Sequence, residues 1–181
     1  MKITKNIKTL LSLGISLFFA NNVSAQDSTT ENYNQSFRLG VGVTAGYVFD
    51  KPYGLGLGAD ARLQYDLSKR YSLTLTTGFT NLFVEGKKND LGFIPAKLGF
   101  KAFVWNDQFY VMGEGGAAFA VTNNYDKTSL LLAPSIGYAT KFIDFSLRYE
   151  HYSDFLKLND NGTVGKGFGQ LSLRIAYGFE L

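Results

Sequence analysis

The chain has a single histidine, His151, two residues before a serine in the run Glu150-His151-Tyr152-Ser153. An imidazole beside a hydroxyl is the beginning of a base and nucleophile pair: His151 would take the proton of Ser153 as its oxygen attacks an acyl carbon. On an extended strand, residues two apart lie on one side, so the pair can meet. The acid that would orient the histidine is missing from the expected stretch downstream, which reads Thr163-Val164-Gly165-Lys166-Gly167, and Asp160 is the nearest substitute. The plainer reading is a histidine at a membrane interface and a serine that starts a turn.

Other chemistries have less to stand on. Gly40-x-Gly42 and Gly54-x-Gly56-x-Gly58 superficially suggest phosphate loops, but their spacing is a strict period of 2 and no helical pattern follows. With one His and no Cys, no metal site and no cofactor are expected. The remaining set is ionic. Arg38, Arg62, Lys97, Lys101, Arg148 and Arg174 share one strand parity with Asp60, Glu114, Asp144, Glu150 and Glu180. Such a nearly matched set suits a closed interior, where an unpaired charge costs several kcal/mol.

The elements that must position these residues are strands. In the last segment, 170–181, Leu171, Leu173, Ile175, Tyr177, Phe179 and Leu181 fall on one face, and Gln170, Ser172, Arg174, Ala176, Gly178 and Glu180 on the other. The same alternation runs through 36–49, 55–65, 71–80, 93–104 and 142–152, and in diluted form through 109–121 and 129–140. Eight strands let an antiparallel meander close with both termini at one end. The connections alternate: 66–70, 105–108 and 140–141 are tight turns, whereas 81–92, 122–128 and 153–167 are longer and polar, with 50–54 a short member of that second set.

The first 25 residues are expected to be a cleaved export signal: Lys2, Lys5 and Lys8, the apolar run from Leu10 to Ala20, and the small-x-small site Val23-Ser24-Ala25. Residues 26–35 then form a periplasmic tail and 36–181 the single domain. Of 18 Lys+Arg and 15 Asp+Glu, three lysines lie in the signal, and 18 − 3 = 15 leaves the rest balanced. The basic excess gives no support to nucleic-acid binding.

Alternation alone does not say which face meets the core. A soluble, lipocalin-like periplasmic binding barrel has the same period with the faces reversed. Small residues and paired charges on the polar face favour a narrow lumen with lipid outside. Aromatics gather near strand ends: Tyr65, Tyr71, Trp105, Phe109, Tyr138, Phe142 and Tyr177 at one, Tyr47, Phe49, Phe79, Phe119 and Tyr149 at the other. Tyr53, Phe83, Tyr125 and Phe155 fall in the loops and are expected to anchor headgroups or touch partners.

The ending Leu173-Arg174-Ile175-Ala176-Tyr177-Gly178-Phe179-Glu180-Leu181, with Ile94-Pro95-Ala96-Lys97-Leu98-Gly99 and the stretch from Phe109-Tyr110-Val111 to Gly116, resembles the outer membrane protein β-barrel domain family, of the OmpA and OmpX type. The resemblance covers roughly 36–181. It implies an all-β, eight-stranded antiparallel up-and-down transmembrane barrel in the cell outer membrane of a Gram-negative bacterium. It also implies lipid as its surroundings, a monomer, and a final strand read by the barrel insertion machinery; here that strand ends in Leu181, with Phe179 two before it. The role expected is structural or surface-interacting, without catalysis. Separately, Arg148-Tyr149-Glu150-His151-Tyr152-Ser153 resembles the His-x-Ser motif of the lipid A 3-O-deacylases, which implies His151 as base and Ser153 as nucleophile, with Asp154 where that family tends to have Asn.

Overall fold

The computed structural model describes residues 35–84, 90–122, 125–159 and 161–181. The expected export signal and the tail up to residue 34 lie outside these residues, as does Asp160. Eight strands follow one another: β1 (Phe37–Val48), β2 (Tyr53–Asp66), β3 (Tyr71–Val84), β4 (Leu91–Val104), β5 (Phe109–Ala120), β6 (Thr128–Ala139), β7 (Ile143–Leu158) and β8 (Val164–Glu180). A single helical turn, α1 (Trp105–Gln108), joins β4 to β5 where a tight turn is expected. Each strand pairs antiparallel with the next, and β8 returns to β1, so the sheet closes on itself. Closure removes the free edges that an open sheet would leave, and satisfies the backbone within the wall.

The two faces are inside out relative to a soluble protein. Leu98, Val43 and Leu173 are 69%, 63% and 63% exposed, while Lys97, Lys101 and Arg174, one residue away or next in parity, are each 2% exposed and point inward. A lipocalin-like carrier needs the opposite, an apolar interior for its ligand and a charged exterior. The aromatic bands form where strands end. Phe37–Tyr65, Tyr71–Phe100, Phe109–Tyr138 and Phe142–Tyr177 pair with ring centroids 4.7, 5.6, 4.9 and 6.0 Å apart, all at the end that carries the described termini. At the other end Tyr47 packs edge-on against Phe49, 6.0 Å away.

The last loop is a correction to the sequence reading. Most of 153–167 continues β7 and β8 as a hairpin, through a register shift between Tyr152 and Leu156. The irregularity turns both Tyr152 and Phe155 inward, so the period of 2 breaks at that point. Opposite it, Gly167 takes φ +81°, a conformation glycine adopts without steric penalty. β3 and β4 likewise run past the expected strand ends to Val84 and from Leu91.

Candidate functional site: the barrel lumen and its loop-side mouth

The lumen is filled in layers, built from the inward parity of each strand. At the end bearing the termini, the Arg38 Nε lies 3.1 Å from Asp66, which also accepts hydrogen bonds from Gln64 Nε2 and Ser72 Oγ, both at 2.6 Å. Above it, Lys101 Nζ contacts Asp144 at 2.8 Å and sits 3.9 Å from the centroid of Tyr110, whose hydroxyl donates to the same carboxylate at 2.7 Å. Arg174 reaches across to Asp60, donating from Nε at 2.9 and 2.8 Å and from Nη2.

The middle layer centres on Glu114. Thr76 Oγ1 donates to it at 2.7 Å, and Arg62, Arg148 and Lys97 lie 3.5, 3.5 and 3.6 Å away. Lys97 and Arg148 also contact Glu150, at 3.0 and 3.4 Å. Ten of the eleven charges expected in the lumen are therefore brought into one ionic column. The eleventh, Glu180, is exposed and makes no ion pair among the described residues. Its place opposite Arg38 is taken by Asp66, which ends β2 where the sequence pattern predicts a turn. The signal was available: Asp66 shares the parity of Arg62 and Gln64. An eight-stranded barrel has an interior just wide enough for side chains such as these to fill.

Toward the loops the lumen changes character. Phe93, Tyr152, Phe155 and Phe168 are essentially inaccessible and pack ring against ring, with Phe93–Tyr152 and Tyr152–Phe168 centroids both 5.1 Å apart and Phe93–Phe155 5.5 Å. Val48, Leu82, Leu91 and Leu131 complete the plug. Tyr53 and Tyr125, partly buried, pack against it, and Phe155 lies within it, so three of the four loop aromatics help form an apolar stopper. Of the four loop aromatics only Phe83 is exposed. Between stopper and ionic column lies Gln170. A Cβ on the facing Gly46 would collide with its side chain and come within 2.8 Å of Ser172 Cβ, so only glycine fits there.

His151 and Ser153 both lie outside this lumen, on the outward parity of β7. Among the described residues they share no hydrogen bond, and no carboxylate bonds to His151. The neighbouring Asp154 is engaged elsewhere: its amide donates to Ser129 Oγ at 2.9 Å, and its carboxylate accepts from the Leu130 amide at 3.3 Å. A base and nucleophile pair requires an acid to orient the imidazole, and Asp160, the nearest substitute in the sequence, lies outside the described residues.

Closed eight-stranded antiparallel barrels with a charged lumen and an apolar outer face are a recurrent membrane architecture. The fold is that of the small outer-membrane barrels. The N-terminal β-barrel domain of Pseudomonas aeruginosa OprF aligns with a TM-score of 0.57 at 10% identity, over 80% of this chain and 99% of that one. Ail, the attachment invasion locus protein of Yersinia pestis, aligns with a TM-score of 0.53 at 15% identity, again over 80% and 99%. Pseudomonas aeruginosa OprG aligns with a TM-score of 0.50 at 11% identity, over 81% and 96%. No protein-family model matches the sequence, and no curated protein matches it.

Proposed function

We propose that the chain is a non-enzymatic barrel of the bacterial outer membrane, closed to solutes, that presents a braced hairpin at the cell surface for contact with other molecules. The observation that carries the surface role is the way the loops are tied together above the stopper. β7 and β8, with 16 and 17 residues, are the longest strands and outreach the 12-residue β1. Their hairpin is fastened to the first loop by Lys157 and Asp50 at 2.9 Å, and by the Leu158 amide donating to the Lys51 carbonyl at 2.6 Å. It is fastened to the third loop by the Leu156 amide donating to Tyr125 Oη at 3.2 Å. A platform held from two sides loses little conformational freedom on meeting a partner, which lowers the cost of binding.

The membrane location is supported by the exposed apolar band between two aromatic girdles, and closure by the stacking of stopper on ionic column. An epitope inserted beside Gly162, at the hairpin tip, tests the arrangement. On intact cells it should bind antibody and be cut by added protease. Accessibility only after the outer membrane is permeabilised would overturn the reading.

A further inference from the structure

The lumen is one negative charge short. Among the described residues its cations are Arg38, Arg62, Lys97, Lys101, Arg148 and Arg174, and its carboxylates Asp60, Asp66, Glu114, Asp144 and Glu150. With Arg38 and Asp66 paired at the mouth, five cations face four carboxylates inside. A charge left uncompensated in a closed interior is costly, so the imbalance calls for a counterion.

Several of these cations line one cavity. Arg62 donates from Nε to Thr76 at 3.1 Å and turns Nη2 to Glu114 at 3.5 Å, but its Nη1 is buried without a partner. The Arg62 side chain is only 4% exposed. On the side of Arg62 facing the chain termini lies a cavity of about 70 Å³. Neither Thr76 nor Glu114 lines it; Arg38, Arg62, Lys101 and Arg174 do, with Asp144 the one carboxylate in its wall. Arg62 thus lines the vestibule as a side chain, while its unpartnered Nη1 is itself enclosed with almost no accessible surface. Arg148 has an unpartnered Nη2 as well but does not line the cavity. The vestibule shares Arg38, Gln64 and Lys141 with a wider mouth of about 400 Å³, which gives a way in from the end that carries the termini. A buried water needs roughly 10–15 Å³ of such space, so the vestibule has room for a small ion with a few waters.

We propose that this vestibule binds one small monovalent anion, chloride in a saline medium, among the cationic side chains of Arg62, Lys101 and Arg174 that line it. The ion brings the inner column to five charges of each sign. It enters from the side opposite the aromatic stopper, and the inference stands whether or not the hairpin meets a partner.

The test uses the full-length chain extracted from membranes in detergent. Urea unfolding is compared in sodium chloride and in sodium gluconate of equal ionic strength, gluconate being the much larger anion. A ligand that binds only the folded state raises stability with its concentration. The urea midpoint should rise with chloride, level off, and rise equally with bromide. Gly40→Asp places the missing carboxylate inside. Gly40 pairs with Arg62 across β1 and β2, lines the cavity, and a Cβ there meets only the Arg62 and Tyr177 carbonyl oxygens at 3.8 Å. This variant should hold its midpoint in gluconate and lose the response to chloride. Gly178→Asp, equally open with only the Leu39 carbonyl at 3.8 Å, serves if the first does not fold. As a direct readout, the chloride-35 NMR line should broaden saturably with the wild type and be narrowed by added bromide. Equal midpoints in the two salts, a chloride response unchanged in the carboxylate variants, or broadening no greater than that of detergent alone would overturn the proposal.

Discussion

Arg174 and Asp60 stand 114 positions apart and on strands that do not touch, yet they form an ion pair in the lumen in which both Nε and Nη2 donate to the carboxylate. β1 runs between their strands, and Gly42, in register with Asp60, leaves the space the guanidinium crosses. A Cβ on Gly42 would sit 2.9 Å from Arg174 Cζ. The pair therefore staples β8 to β2 over the seam at which the sheet closes. Removing one partner strands the other in a buried site. Asp60→Asn is expected to lower unfolding stability by about 3–5 kcal/mol, while the double change of Asp60 and Arg174 to leucine costs less than that single change. Urea titration of all variants in lipid vesicles checks the order; equal losses for single and double variants would count against the seam.

The stopper is packed like a soluble core, so it should respond like one. Phe155 is fully buried among four aromatic rings. Phe155→Ala is expected to cost about 3–5 kcal/mol. The ionic column below is untouched, so planar-bilayer recordings should remain electrically silent for both wild type and variant. Stable conductance steps in the wild type would contradict a closed lumen.

The outward face should tolerate apolar exchange and reject charge. Leu98 lies mid-strand on β4, paired with Leu75 and Gly115. Leu98→Arg is expected to cost about 2–4 kcal/mol when the barrel unfolds from a bilayer, as an arginine does near the midplane. Leu98→Ile should change little. A neutral Leu98→Arg in vesicles would mean that this face does not meet hydrocarbon.

The His151 and Ser153 pair is expected to be chemically idle. Cells expressing the wild type and Ser153→Ala should give the same lipid A acylation by mass spectrometry. Loss of one acyl chain with the wild type alone would restore the hydrolase reading.

Much of the barrel was legible because lipid and lumen impose opposite demands on alternate residues. The run from Leu171 to Leu181 carries that contrast without a break, and β8 follows it. Ten of the eleven lumen charges could be found by parity alone, since parity decides which way a side chain points. Parity does not tell how far along the axis a residue lies. Val48, Phe93 and Tyr152 share the inward parity with Arg148 and Lys97, yet they form an apolar storey above the ionic one. Phe155 was hidden for a different reason: the irregularity after Tyr152 breaks the period and makes an inward ring look like a loop aromatic. Asp66 and Glu180 exchanged roles because strand ends pair through tertiary distance, which a one-dimensional pattern does not contain.

The most direct test of the barrel as a membrane protein is fractionation of expressing cells, with the protein run on a denaturing gel before and after boiling. The protein is expected in the outer-membrane fraction, with the unboiled form migrating apart from the boiled one because the closed sheet survives detergent. Recovery in the soluble periplasmic fraction, with one mobility in both lanes, would contradict it.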